Sequence, residues 1–278
     1  MGTEYATEEE PVATLTDDGT GLVLANGVPM PLLGLGVWQI PDGRPTEQAV
    51  RWALDAGYRH IDTATLYRNE RSVGRAIRSS GVPREQLFVA TKFHPRDPDP
   101  ERAVEASLRL LGLDHVDLYL WHWPSGGATR HWPAFERIAE RGLARAVGVS
   151  NFSADQLGRL LGADVPPAVD QVEFSPFQFR RRLLAACEAG GVVLEAYSPL
   201  TRGHDLGNRV IAEIAQRHGR TPAQVLLRWA VQRAIPVIPK SANRDRIAEN
   251  ARIFDFALPA ADMAALDGLD RTGGTADA

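Results

Sequence analysis

Short apolar runs of five to eight residues recur along the chain near 32–38, 59–63, 87–93, 116–122, 144–150, 167–174, 192–198 and 235–239. Longer stretches separate them, with apolar residues at three- and four-residue spacing and charge on the opposite face. The short runs predict buried strands and the longer stretches predict amphipathic helices. Eight such alternations predict an α/β chain folded as a (β/α)8 TIM barrel. Two further helical patterns, around 223–233 and 260–269, predict extra C-terminal helices: an enlarged seventh unit and a terminal helix.

The start of the chain breaks this rhythm. Apolar residues at 22–24 and 28–31 flank Asn26-Gly27, a strong hairpin signal, so an N-terminal β-hairpin is expected to plug one end of the barrel. Residues 1–18 carry Glu8, Glu9, Glu10, Asp17 and Asp18 with little to bury and are expected to form a mobile tail. Residues 19–278 then form a single domain, a normal length for one barrel.

Composition narrows the function classes. The net charge is -4 with both signs interspersed, which argues against nucleic acid or an anionic membrane surface as partner. The basic run at 180–182 reads as the start of a solvated helix. No apolar stretch reaches the ~18 residues of a membrane span, and the acidic start lacks the features of a signal peptide. The single cysteine, Cys187, excludes an internal disulfide and fits a reducing, cytoplasmic setting. Its apolar surroundings favour a core thiol over a nucleophile. Seven histidines show no ligand spacing, so no metal is expected. The absence of an exposed heptad pattern points to a monomer.

Candidate chemistry gathers at strand ends. Asp62 and Tyr67 fall on a strand-to-helix turn, after the Ala56-Gly57 stop and before a helical pattern that begins near Asn69. Lys92 ends the next predicted strand and His122 the one after, each thirty residues on, the length of one strand-helix unit. Like positions on successive parallel strands point to one rim. Of the 31 basic residues only Lys92 and Lys240 are lysines, and both lie at predicted strand ends, where a compact ammonium differs from a guanidinium. Beside Tyr67 such an ammonium favours the phenolate and is expected to lower the tyrosine pKa, while Asp62 keeps the lysine charged and aimed. His122 would orient the same substrate oxygen. A proton donor aimed at an oxygen suits carbonyl reduction if a cofactor supplies hydride.

The motifs Asp62-Thr-Ala-Thr-Leu-Tyr67-Arg-Asn69-Glu70, Thr91-Lys92, His122-Trp123-Pro124, Gly148-Val149-Ser150-Asn151-Phe152, Gln171-Val172-Glu173 and Pro239-Lys240-Ser241 with Arg246, Glu249 and Asn250 resemble those of the aldo-keto reductase family, in its order. The resemblance spans residues 22–269 and is greatest to small prokaryotic reductases of the 2,5-diketo-D-gluconate reductase type, which act on diketo sugar acids and reactive aldehydes. It implies a catalytic tetrad of Asp62, Tyr67, Lys92 and His122, with Tyr67 the general acid in reduction and the general base in the reverse oxidation.

The resemblance also implies a nicotinamide cofactor. Ser150, Asn151 and Gln171 offer hydroxyl and amide groups to a carboxamide; alone, each would read as a satisfied polar strand end. Tyr197 would stack on the nicotinamide ring or serve as a core tyrosine, and the backbone around Ser198 and Leu200 would meet the pyrophosphate. Lys240, Ser241, Asn243 and Arg246 precede or open a helical pattern near Arg244, a setting for a phosphate that favours NADPH (NADP+) over NADH. Glu249 and Asn250 would reach the adenine; as a plain solvated helix face, Arg246 would instead pair with Glu249. Gly34-Leu-Gly36 lacks the third glycine of a dinucleotide fingerprint, so a Rossmann domain is not supported.

Trp38 and Trp123 are expected to line a pocket for a small carbonyl substrate; His94 and His131 read as rim or surface histidines. Asp170 and Ser175 depart from the family's usual asparagine and histidine, and the segments 125–130 and 271–278 are short where some relatives carry long loops. Two other readings use the same residues: a Schiff-base lyase with Lys92 as nucleophile, and a non-catalytic nicotinamide-sensing regulatory protein.

Overall fold

The computed structural model describes residues 14–125 and 127–273. Strand-forming runs that are buried on both faces need no alternation, and β6 (Phe88–Phe93) and β7 (Val116–Trp121) are buried at every residue. They lie at the centre of a parallel sheet that also contains β4 (Gly34–Gly36), β5 (His60–Asp62), β8 (Ala144–Ser150), β9 (Val169–Glu173) and β10 (Val193–Tyr197), ordered by sequence from β4 to β10.

The eighth predicted strand, 235–239, closes the ring by bridges instead of a regular ladder. Val237 pairs with Leu33 on one side and Ala196 on the other, and Lys240 pairs with Gly36. Pro236 and Pro239 have no N–H to donate, so the segment accepts from Ala196 and Gly36 through its carbonyls and never forms a continuous strand. The same closure accounts for the Gly34-Leu35-Gly36 sequence. A Cβ on Gly34 would lie 2.8 Å from the His60 ring and 2.9 Å from Ile238, and one on Gly36 would lie 2.9 Å from the Ile238 carbonyl.

Helices α1 (Arg44–Asp55), α2 (Glu70–Ser80), α3 (Pro100–Leu111), α4 (Ala128–Glu140), α5 (Ala154–Gly158) and α6 (Arg181–Ala189) connect successive strands. Their ends follow local chemistry. Asp99 caps α3 through the amides of Glu101 and Arg102, Pro100 opens it, and Gly112 closes it with a left-handed φ of 67°. The enlarged seventh unit is α7 (Arg209–His218) and α8 (Pro222–Val231), the latter started by a reciprocal Thr221/Gln224 cap. Then come α9 (Arg244–Asn250) and α10 (Ala260–Asp267).

The expected hairpin is β2 (Gly21–Val23) against β3 (Pro29–Pro31), and Leu22 and Met30 are buried beneath it. It covers the end of the barrel where the strands begin, with the Asn26 amide donating to the carbonyl of Arg145 near the start of β8. The tail expected over residues 1–18 needs a correction within its described part. Thr14–Leu15 forms β1, paired antiparallel with β2, and the Thr16 and Asp18 side chains bond the turn that follows; residues 1–13 lie outside the described residues.

Candidate functional site

The carboxyl ends of the strands carry the polar side chains singled out in the sequence. In a parallel barrel, residues two apart on one strand both face inward, so β5 directs His60 and Asp62 inside one above the other. Lys92 enters from β6 and its side chain is inaccessible to solvent. Its ammonium donates to both Asp62 oxygens at 2.6 Å and to the Thr63 carbonyl at 2.9 Å, so all three protons are engaged.

Tyr67 sits on a single turn of 3-10 helix, Thr65–Tyr67, between β5 and α2, with its ring centroid 5.2 Å from the Lys92 nitrogen. His122 follows β7, meets the Tyr67 ring edge-on at 5.8 Å and stacks on Trp123. The four residues of the expected tetrad therefore converge from three successive strand ends.

Their electrostatics differ from the sequence expectation in one respect. Burial pushes the Tyr67 phenol above its usual range, and the nearby charge of Lys92 recovers only part of that shift. The expected net lowering is not what the structure shows, because desolvation outweighs the ammonium. Lys92 is moved the other way: burial disfavours its charge, yet Asp62 and Tyr67 outweigh burial and its pKa rises. His122, desolvated and facing Lys92 and His94, is pulled down to about 3, which makes it a neutral hydrogen-bonding group at ordinary pH.

Beside this cluster, Ser150, Asn151, Gln171 and Tyr197 are drawn into one network. The Ser150 hydroxyl donates to the Gln171 carbonyl; the Asn151 amide donates to the His122 carbonyl and to Ser150 Oγ; the Tyr197 hydroxyl donates to Asn151 Oδ1 at 2.8 Å. Asn151 adopts a left-handed φ of 65° to do so, and Ser198, Thr201 and Arg202 are left-handed in the loop after β10. Such backbone outliers cluster at ligand sites. The Gln171 amide turns inward, donating to Asp62 Oδ2 at 2.9 Å and to Glu195 Oε2 at 2.8 Å. The internal bonds use the donors of this group and leave acceptor lone pairs on Asn151 Oδ1 and Ser150 Oγ, which suits the N–H groups of a carboxamide.

Further along the rim, Asn243 caps α9 and its amide bonds Ser241 Oγ. Lys240 and Arg246 are exposed there, with no side-chain hydrogen bond or ion pair to another described residue. Arg246 does not pair with Glu249, whose carboxylate accepts from the Thr221 hydroxyl instead. Asn250, the last residue of α9, is buried.

The mouth has an apolar rim. Trp38 and Trp123 are 39% and 46% exposed, and Leu66, which sequence reasoning passed over, is 48% exposed beside Tyr67. The Arg202 guanidinium lies 5.3 Å from the Trp38 ring, joining the loop after β10 to the loop after β4. His94 accepts from the Arg96 amide and His131 stacks on Trp121 from α4, which already begins within the expected 125–130 loop. Sequence reasoning also missed His60 and Glu195; a charged residue inside an apolar run was their only signal.

A parallel barrel with a buried lysine-carboxylate pair, a tyrosine and a neutral histidine at its carboxyl rim defines a barrel protein equipped for proton transfer. Residues 32–271 match the Aldo/keto reductase family, and the chain belongs to it. It is 48% identical to the morphine 6-dehydrogenase of Pseudomonas putida, covering 89% of this chain and 90% of that protein. It is 45% identical to the glyoxal reductase of Bacillus subtilis strain 168, covering 89% and 92%. The crystal structure of MGS-M4, an aldo-keto reductase enzyme from a Medee basin deep-sea metagenome library, superposes with a TM-score of 0.85 at 40% identity, covering 90% and 94%. Membership makes the protein an oxidoreductase of small carbonyl compounds that works with a nicotinamide cofactor. Among the described residues no helix is long and apolar enough to cross a membrane.

Proposed function

We propose that the protein reduces aldehydes or ketones to alcohols with NADPH, with Tyr67 donating the proton to the carbonyl oxygen. The observation that carries this reading is the buried Lys92 ammonium, held by both oxygens of Asp62 and set 5.2 Å from the Tyr67 ring centroid. When bound, the cofactor supplies hydride to the carbonyl carbon. Tyr67 holds its proton firmly until an oxygen with developing negative charge approaches; Lys92 then stabilises the phenolate that remains, and Asp62 keeps Lys92 charged. His122, neutral, holds the same oxygen in line, and Trp38, Leu66 and Trp123 exclude water around the rest of the substrate.

Ser150 and Asn151 are assigned to the carboxamide, with Gln171 bracing Asp62 beneath them and Tyr197 providing a ring to stack on the nicotinamide. The loop of Ser198 and Leu200 is assigned to the pyrophosphate. Lys240, Ser241, Asn243 and Arg246 are assigned to a 2'-phosphate, which favours NADPH over NADH, and Glu249 and Asn250 to the adenine side. Morphine and glyoxal differ greatly in size, so the names of the two relatives support a mouth that accepts varied carbonyls. Small α-dicarbonyls and diketo sugar acids fit its polar floor and aromatic rim. A cytoplasmic monomer is the setting we assign, in keeping with the buried free thiol of Cys187.

Lys92 is badly placed for a Schiff base. That chemistry needs a neutral amine, and here the amine is held charged with all three protons engaged. The test is nicotinamide absorbance over time with NADPH or NADH and a panel of aldehydes, α-dicarbonyls and keto sugar acids. Consumption with NADPH and little with NADH is expected. Tight NADPH binding without turnover on any of them would favour the regulatory reading.

A further inference from the structure

Beneath the tetrad lies a second ionisable pair that the proposed chemistry does not use. Glu195 on β10 and His60 on β5 are inaccessible to solvent, with His60 Nε2 3.6 Å from Glu195 Oε1. Neither ring nitrogen of His60 and not Glu195 Oε1 has a hydrogen-bond partner among the described residues. The other oxygen, Oε2, accepts from the Gln171 amide, whose second proton goes to Asp62. One amide thus ties Glu195 to the carboxylate that holds Lys92.

Charge decides the state of this pair. Lys92 is the only cation on the strands around Glu195, and its three protons are already given to Asp62 and Thr63. A second carboxylate here would be a buried charge with no countercharge of its own, which is costly. The groups facing Glu195 are His60 and Asp62 from β5, Lys92 from β6 and Gln171 from β9; the adjoining segment 235–239 is Ile-Pro-Val-Ile-Pro and offers no charge. His60 is packed against Phe88 and the Gly34 backbone and faces Lys92, so it does not take the proton.

We propose that Glu195 is a positioning residue that works as a neutral acid: it keeps its proton toward His60 Nε2 and, through Gln171, holds Asp62 and Lys92 in register beneath Tyr67. Burial and the nearby Asp62 push the Glu195 carboxyl up to about 8, while burial and Lys92 pull His60 down to about 3, in agreement with a proton on the carboxyl. Ionisation of Glu195 adds negative charge near Tyr67 and strengthens the phenol's hold on its proton. Proton donation, and with it reduction, would slow as pH rises through that range.

The effect on turnover rests on the reductase reading; the protonation does not. The experiment compares kcat against pH for the wild type, Glu195→Gln and Glu195→Ala, with the infrared carbonyl stretch of protonated carboxylic acids recorded on the purified wild type and Glu195→Gln. Near neutral pH, Glu195→Ala is expected to lose roughly tenfold or more in kcat and Glu195→Gln to recover most of that loss, because an amide accepts from Gln171 and donates to His60. Above about pH 8, wild-type kcat should fall relative to Glu195→Gln by up to roughly tenfold per pH unit. At neutral pH the protonated-acid absorption of the wild type should exceed that of Glu195→Gln by one carboxyl, the variant keeping the contribution of the buried Asp170. Parallel pH profiles would overturn the proposal, as would failure of the amide to recover activity. Absence of that difference would overturn it even if the protein reduced no carbonyl at all, a result that would separately end the reductase reading.

Discussion

Lys92 and Asp62 form a buried two-point ion pair, with Nζ 2.6 Å from each carboxylate oxygen and side-chain exposures of 0% and 2%. Removing one member of such a pair strands the other charge, at a typical cost of about 3–5 kcal/mol. Asp62→Ala is expected to lose that much in denaturant unfolding. Replacing both partners by apolar residues, Asp62→Leu with Lys92→Met, should recover much of the stability and none of the reductase activity. A double variant as unstable as Asp62→Ala would mean that the pair does more than compensate its own burial.

Tyr67→Phe removes the assigned proton donor and little else, since the ring keeps its edge contact with His122. We expect kcat to drop about 10²–10⁴-fold with NADPH affinity changed less than about threefold. Fluorescence titration and steady-state kinetics on one preparation check both. Retained turnover would remove Tyr67 from its role.

The exposed Lys240 and Arg246 are expected to act on the cofactor's extra phosphate. Charged hydrogen bonds contribute about 1.5–3 kcal/mol each, so changing both to Ala should weaken NADPH by more than about tenfold and NADH only slightly. Equal losses for the two cofactors in calorimetry would reject the phosphate assignment.

Asp170 supplies a pH test of stability. Its carboxyl lies outside the barrel wall on β9, wholly buried, and no side chain among the described residues bonds either oxygen. Burial pushes it from 3.8 to about 8, against weaker opposing pulls from the Phe152 amide and Arg180. Between those values the unfolded chain has released a proton that the native protein retains, so this residue's contribution to stability falls as pH rises. Asp170→Asn is expected to melt close to the wild type near pH 4 and to gain at least ~1 kcal/mol over it near pH 8. Melting curves that stay parallel across that range would count against a protonated Asp170.

The strands that could be read from the chain are those whose apolar runs are uninterrupted, such as β6 and β7, where both faces are buried and composition alone marks the element. The segment 235–239 has the same composition, but its two prolines break the ladder, and only the neighbouring strands make it part of the wall. The inward turn of the Gln171 amide could not be read either, because its partners Asp62 and Glu195 are 109 and 24 residues away. The reversal at Tyr67 came from burial, which the local sequence does not display.

By itself the sequence determined the alternation of strands and helices, the hairpin at Asn26-Gly27 and the strand ends that bear Asp62, Lys92 and His122, because periodicity, turn chemistry and a thirty-residue repeat are local properties. The tertiary structure alone decided that Glu195 and His60 meet under the tetrad, that Gly34 must leave room for the His60 ring, and which way each proton is held. These are contacts across a closed barrel between strands far apart in the chain. Closure excludes water, and exclusion of water sets the charge states.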